Sequence, residues 1–414
     1  MSDVLRSEHS VTNDQHDPVT EILRQVLARA GQDRSGAVAD YIPELADVDP
    51  EPFGIAAASV LGSVYTAGDS ATTFTIQSIS KPFVYAAALA DLGVDEVHRH
   101  VGFEPSGEPF NAISLDARGR PANPMINAGA IVTSALIEAE NPDARFDRIR
   151  RVLSDFAGRP LGLDDRVYRS ESATGHRNRA LAHLARSTGA LHRDVDDAVE
   201  VYFRQCSLVV TAADLAVMGA TLANAGVNPI TGAAVVPAKV ARHTLSIMSG
   251  SGMYDRAGEW AFRVGMPAKS GVGGGIVAVK PGQFGVGVFS PRLDEAGNSA
   301  RGTGALTMLS HDYGLHLLSH PPAPVSPVRD LRVEAGGRIR VVLRGAIDLI
   351  AMEQLVAEVS AALTEDIAVV VVDLAAATLV GPVAADVLRG FAEFDRDPWP
   401  QAKVELLDPA GLLG

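Results

Sequence analysis

The 414-residue chain has a single cysteine, Cys206. One thiol excludes an intrachain disulfide and any zinc site built on paired cysteines, and Cys206 reads as a small buried apolar residue. Long apolar runs are also missing. The nearest approaches, Ile367–Val372 and Leu374–Ala385, are parted by Asp373, and neither reaches the roughly 20 residues that span a bilayer. The first 17 residues, MSDVLRSEHSVTNDQHD, are polar and mixed in charge. They lack the apolar core of a signal peptide and read as a disordered tail, so a soluble cytoplasmic protein is expected. Basic residues are the minority, 36 Lys and Arg against 50 Asp and Glu, for a net charge of −14. That balance disfavours nucleic-acid backbones and anionic membranes as partners.

Other signatures are absent too. The 11 histidines form no His-Glu-x-x-His pair and no carboxylate cluster at ligand spacing, so neither a metal nor a cofactor is expected. His98-x-His100 reads as a solvated loop. No Gly-x-x-x-x-Gly-Lys-Ser/Thr loop or dinucleotide fingerprint occurs. Arg145–Arg151 is a short basic run with Phe146, Ile149 and the following Val152 apolar at helical spacing, which reads as a solvated helix face rather than a nucleic-acid site.

What remains is ordinary globular composition, 47% hydrophobic and 21% charged, long enough for two or three domains. A proline-rich stretch at 320–327, HPPAPVSP, favours extended backbone and reads as a semi-rigid linker. Before it, Phe53–Val60 and Val64–Ala67 flank Gly62-Ser63 as a hairpin. Phe262–Ser270, Ile276–Lys280 and Phe284–Ser290 read as strands. The segments between are helical: Phe83–Leu92, Ala130–Glu138, Phe146–Phe156, Arg177–Ser187, Asp194–Phe203 and Ala212–Ala225. Strands at both ends and helices between imply one antiparallel sheet with a helical lobe. After the linker, strands at Leu331–Glu334, Arg338–Leu343, Ala368–Val372 and Val404–Leu407 alternate with helices at Ile350–Leu363 and Ala384–Phe394. That order implies a small sheet with parallel crossovers.

Two motifs carry chemistry. Ser78-Ile-Ser-Lys81 places a hydroxyl and an amine one helical turn apart, and Pro82 places the helix start near Ser78. A desolvated lysine serves as base for an otherwise weak serine nucleophile. Read alone, the same motif is a capping serine beside a solvated lysine. Pro267-Ala-Lys269-Ser270-Gly-Val272 followed by Gly273–Gly275 offers a second lysine. A second lysine close to the first lowers the Lys81 pKa by repulsion. The glycines suit an oxyanion hole or a phosphate, or simply a hairpin turn.

Taken together, these motifs resemble the serine β-lactamase and penicillin-binding fold. Phe74–Lys81, Asn123–Ala130, Gly252–Asp255, Pro267–Gly275, Ser170-Glu171, Tyr202-Phe203 and Ala39–Pro43 are similar to the bacterial glutaminase family, over about residues 20–312. That resemblance implies a β-lactamase-like catalytic domain over 18–319. It implies Ser78 as acyl-forming nucleophile, Lys81 as its base, and Tyr254 and Lys269 as further catalytic residues. Ser78, Asn127, Glu171, Asn178, Tyr202, Tyr254, Ser270 and Val272 match the substrate-binding positions. Main-chain N–H groups of Ser78 and Val272 would hold the oxyanion. The implied reaction is hydrolysis of L-glutamine to L-glutamate and ammonia, by a homo-oligomer. Residue by residue, Asn127 also reads as a helix N-cap, Tyr202 as a core aromatic, and Glu171 and Asn178 as surface polar groups. The alternatives are a penicillin-interacting acyl-transfer enzyme, or a regulatory protein whose large domain is an inactive scaffold. Lys-Ser-Gly in place of Lys-Thr-Gly, no Ser-Asp-Asn and no export signal oppose the first; the intact Ser78, Lys81 and Lys269 oppose the second.

Residues 328–414 resemble a STAS (anti-sigma-factor-antagonist-like) domain, on βαβα order and Val372-Asp-Leu374 leading to a helix. Members switched by phosphorylation carry Asp-Ser-Ser-Gly there. This chain has Gly381-Pro-Val-Ala384, without the acceptor serine, which leaves docking of an unknown protein partner or self-association. The sequence ends soon after Val404–Leu407, so a trimmed domain is expected.

Overall fold

Glycine and alanine recur in the strands that build the main sheet, and these small residues decide how closely helices pack on it. In the computed structural model, which describes residues 17–105, 115–319, 326–393, 399–400 and 402–413, the chain divides into two compact units, 1–319 and 320–414. The tail at 1–16 and the proline-rich stretch at 320–325 lie outside the described residues; Asp17 is the N-cap of the first helix, Pro18–Ala30.

The first unit holds a five-stranded antiparallel sheet. From edge to edge its strands are Val64–Gly68, Gly54–Ser59, Phe284–Phe289, Gly275–Lys280 and Ala268–Ser270. Both faces of its inner strands are buried. Ile55 and Ala57 join Leu23, Val26, Leu306 and Leu309 of the helices Pro18–Ala30 and Ala300–Tyr313. Ala56 and Ala58 turn the other way, onto Ala212, Ala216 and Ala220 of the helix Ala212–Ala223. That is the period of two of a strand expressed in small residues. In Phe284–Phe289 the sequence alternates Gly and Val for the same reason. A Cβ on Gly285 would lie 2.0 Å from Ala220 N, and one on Gly287 2.0 Å from Ala212 O. The helix backbone therefore rests directly on the strand, while Val286 and Val288 fill the opposite core.

A helical lobe follows the N-terminal hairpin: Lys81–His100, Asn127–Leu136, Pro142–Ala157, Asp165–Thr174, His176–Ser187 and Val195–Cys206. A small three-stranded sheet, Phe74–Thr75, Leu208–Val210 and Gly162–Leu163, ties its base together. The helices are punctuated as their sequences dictate. Asn141 caps Pro142–Ala157, which closes on Gly158 in the left-handed region, and Thr211 with Asp214 forms a capping box.

Four sequence expectations are corrected. Phe262–Ser270 is not one strand: Ala257–Arg263 is helical and only Ala268–Ser270 pairs. The Trp260 indole donates to the Met266 carbonyl at 2.7 Å and Gly265 turns at φ +63, folding the segment back on itself. His98 and His100 are not solvated. They close the helix Lys81–His100 and are buried, His98 between the Tyr85 hydroxyl and the Val101 carbonyl, His100 on the Ala190 carbonyl. Their ring nitrogens are satisfied, which makes burial tolerable. Arg145 is buried rather than part of a solvated face, its Nε donating to the Ile137 carbonyl at 2.9 Å. Finally, Ser78 does not open an α-helix; it lies in a 3-10 turn, Gln77–Ser80, and the α-helix begins at Lys81.

The second unit has a mixed sheet, ordered Lys403–Leu407, Val369–Val380, Arg338–Ile347, Val328–Glu334. The first two pairings are parallel and the last antiparallel. The parallel crossovers are the helices Leu349–Ala362 and Pro382–Ala392. Ile339, Val341, Leu343, Val370 and Val372 pack with Leu355, Val359 and Leu388 in a core of its own. Among the described residues of the chain, no helix is long and apolar enough to cross a membrane.

Candidate active site

The site is built where the small sheet hands the chain to the helical lobe. Strand Phe74–Thr75 leads into the 3-10 turn, and Gln77 takes φ +49, a left-handed backbone that costs a non-glycine residue about 1–3 kcal/mol unless its surroundings hold it. The Gly271–Gly275 turn presses on this segment. A Cβ on Gly271 would lie 3.0 Å from Ile76 O and one on Gly273 2.9 Å from Thr75 O. The glycine run is thus a hairpin turn, closed by Gly271 N to Gly275 O and Gly274 N to Gly271 O, whose lack of side chains lets it touch the Ser78 turn.

Ser78 lines a cavity of about 300 Å³, together with Tyr41, Gln77, Asn127, Glu171, Asn178, Tyr202 and Val272. Lys81, Lys269, Ser270 and Tyr254 stand behind that wall, outside its lining. The Lys81 side chain is fully buried, and its Nζ donates to Asn127 Oδ1 at 2.7 Å. Burial lowers its pKa to about 8, because a desolvated ammonium is disfavoured. The expected repulsion falls on the other lysine: Lys269, equally buried, is pushed well below the usual range by desolvation first and by Lys81 second. Lys269 Nζ donates to the Ser270 carbonyl at 2.7 Å and lies 4.0 Å from the centre of the Tyr254 ring.

Tyr254, itself at φ +57, directs its hydroxyl to Ser78 and to the Ser270 carbonyl, 3.3 Å away. Burial is the largest influence on its pKa and raises it, so the phenol keeps its proton at neutral pH. The Ser270 hydroxyl is wholly buried and has no hydrogen-bond partner among the described residues.

Asn127 is no N-cap: that position is Ile126, and Asn127 is the first residue of its helix. Its Oδ1 receives Lys81 and, at 3.4 Å, the Tyr202 hydroxyl, while Nδ2 donates to Asn178 Oδ1 at 2.9 Å. Tyr202 is a core aromatic, its ring at 3% exposure, and its hydroxyl reaches this chain of amides at Asn127. Glu171 is 7% exposed and is not a surface carboxylate. Burial raises its pKa, opposed by hydrogen bonds from Tyr41, at 3.1 Å, and Gln77. The cavity is therefore lined by both a serine hydroxyl and a desolvated carboxylate, with the buried Lys81 amine outside the lining on Asn127.

Tyr41, Gln77, Thr174, Arg177 and Cys206 also line the cavity, and none was singled out for the site from sequence. Tyr41 lies within the Ala39–Pro43 motif, and Gln77 immediately precedes the serine; those two signals were in the sequence. Cys206, buried as expected, faces Tyr202 one turn earlier in its helix.

The chain matches the family described as Glutaminase over residues 36–318. It is 56% identical to Glutaminase 2 of Bradyrhizobium diazoefficiens over 73% of its own length and 48% of that protein's, so it spans about half the length of that relative. With the Glutaminase of Corynebacterium glutamicum it shares 43% identity over 96% of this chain and 95% of that one. Among solved structures, Mglu is similar with a TM-score of 0.87 and 43% identity, covering 96% of this chain and 100% of that chain. Mglu has also been solved in an L-glutamate binding form, at 39% identity and the same TM-score of 0.87.

Proposed function

Since the chain belongs to the glutaminase family, we propose that it hydrolyses the side-chain amide of L-glutamine to L-glutamate and ammonia through an acyl-enzyme on Ser78. The observation that carries this reading is one cavity in which Ser78 and Glu171 both stand, with the depressed-pKa amine of Lys81 held behind the wall by Asn127. In its neutral form Lys81 spends an N–H on Asn127 and keeps its lone pair for the serine proton. Ser78 Oγ then attacks the amide carbon, and the main-chain N–H groups of Ser78 and Val272 receive the oxyanion. Lys81 returns the proton to the leaving nitrogen and the C–N bond breaks, releasing ammonia. Water attacks the ester, glutamate departs and Ser78 regains its proton. Tyr254, protonated and bonded to Ser78, stabilises or relays that proton; Lys269 and Ser270 shape the strand behind it.

Glutamine also brings an α-ammonium, and the desolvated Glu171 is its partner. The amides of Asn127 and Asn178 and the Tyr202 hydroxyl serve the carboxylate and amide ends. Glu171→Gln keeps shape and removes charge. Since a hydrogen bond to a charged group is worth about 1.5–3 kcal/mol, kcat/KM should fall roughly ten- to more than a hundredfold, mostly in KM if ground and transition states are held alike. Steady-state kinetics, with circular dichroism for folding, check it; an unchanged kcat/KM removes Glu171 from the site. The activity itself is tested by coupled assay of ammonia and glutamate from the purified full chain, with a β-lactam as the competing substrate.

For the architecture, the antiparallel sheet with its helical lobe supports a serine β-lactamase-like catalytic domain over 18–319. The mixed four-stranded sheet with two helices supports a STAS-like domain over 328–414, joined by the stretch at 320–327. The helix Pro382–Ala392 starts on Gly381 with no side-chain cap, and with no serine there a docking or self-association role is preferred to a phospho-switch. All the site residues precede residue 318, where the family match ends. A protein ending at Ser319 is therefore expected to keep its kcat/KM, since each unit has its own core. A folded but inert truncation would mean that the second unit completes the site.

A further inference from the structure

Ser80, Gln205 and Ser134 are each at 0% exposure, and none lines the cavity. Their side chains make one continuous hydrogen-bonded run. Gln205 Nε2 donates to Ser80 Oγ at 2.9 Å, and Ser80 Oγ donates to the Gln77 carbonyl at 2.8 Å. Ser134 Oγ stands 2.7 Å from Gln205 Oε1 and 2.8 Å from the Ala130 carbonyl, its single proton serving one acceptor at a time. The run begins and ends on catalytic elements. Ser80 closes the 3-10 turn that carries Ser78. Ser134 sits on the helix Asn127–Leu136, whose first residue holds Lys81. Gln205 lies one turn beyond Tyr202.

Apolar side chains would fill this space more cheaply, since each buried polar group must be repaid by a partner. What a satisfied network adds is a single arrangement of the parts it joins. The part most in need of it is Gln77, whose left-handed backbone persists only where its neighbours over-determine it, and whose carbonyl is the acceptor for Ser80. We infer that Gln205 is a positioning residue for acyl transfer: acting through Ser80, it holds the Ser78 turn in the geometry of attack and sets it against the helices bearing Asn127 and Tyr202. The inference rests on Ser78 being the nucleophile.

The test uses the full chain, L-glutamine kinetics and thermal unfolding on Gln205→Met, Ser80→Ala, the double variant, and Ser78→Ala as control. A displacement of about 1 Å at a reacting atom costs up to about a hundredfold. Gln205→Met, similar in length but without the amide, is therefore expected to lower kcat by about ten- to a hundredfold, with a much smaller change in KM. Ser80→Ala should shift kcat in the same direction, and the double variant should be no worse than the poorer single one, because the two residues act as a unit. Where Gln205→Met does not fold, Ser80→Ala, which removes one oxygen, carries the same kcat-against-KM test. A lowered melting temperature with unchanged kcat would reduce Gln205 to a packing residue, and strictly additive losses would show that it does not act through Ser80; either overturns the inference. An active Ser78→Ala would overturn the functional reading itself, and the inference with it, whatever Gln205→Met does.

Discussion

Ser78→Ala is expected to cut glutamine hydrolysis by about 10⁴-fold or more, the scale on which nucleophile deletions act, with little change in melting temperature. The substitution removes one oxygen from a residue at 7% exposure, so the cavity left is small. Tyr254 loses Ser78 but keeps the Ser270 carbonyl as a hydrogen-bond acceptor, so no buried phenol is orphaned. Glu171, Asn127 and Asn178 are untouched, and the variant should still bind L-glutamate; isothermal titration separates this from a collapsed site. Retained turnover would sink the acyl-enzyme mechanism, and lost binding would show that Ser78 is needed for the shape of the cavity.

Lys81→Met is expected to be almost as damaging, because nucleophile and base act as one unit. Methionine fills the fully buried volume of Lys81 and imposes no desolvated charge. Asn127 loses its closest donor but retains the Tyr202 hydroxyl at 3.4 Å. The wild-type pH profile follows from the same residue. The base works as the neutral amine, and with a pKa of about 8 that form is scarce below pH 8 and dominant above it. The rate should therefore rise with pH through a limb centred near 8, well below the 10.5 of an unburied lysine. In Lys81→Met whatever activity remains should lack that limb. A wild-type profile flat across pH 7–9 would mean that another group takes the serine proton.

Local chemistry carried much of this reading. Runs of small and β-branched residues set off by glycine turns marked the strands Gly54–Ser59 and Phe284–Phe289, and helical spacing marked the lobe. Ser78 with Lys81, and Lys269 with Ser270, stood out by residue type and spacing, but it was the resemblance of several motifs together, not spacing alone, that joined them into one expected site. Misreadings came where long-range contacts override local preference. Phe262 looks like a strand residue until Trp260 bonds back to Met266, and the two histidines look solvated until a carbonyl far along the chain, Ala190, receives His100.

By itself, then, the sequence determined which residue types are available for chemistry and where many of the secondary elements lie, since both depend on neighbours a few positions away. Only the tertiary structure decided the electrostatics. Lys81 titrates low through burial, Glu171 sits desolvated inside a cavity, and the glycine run is a close-packed turn against the Ser78 segment. Burial is a property of what packs on a residue from distant parts of the chain, and because desolvation is the largest influence on these groups, no spacing along the sequence could have revealed it.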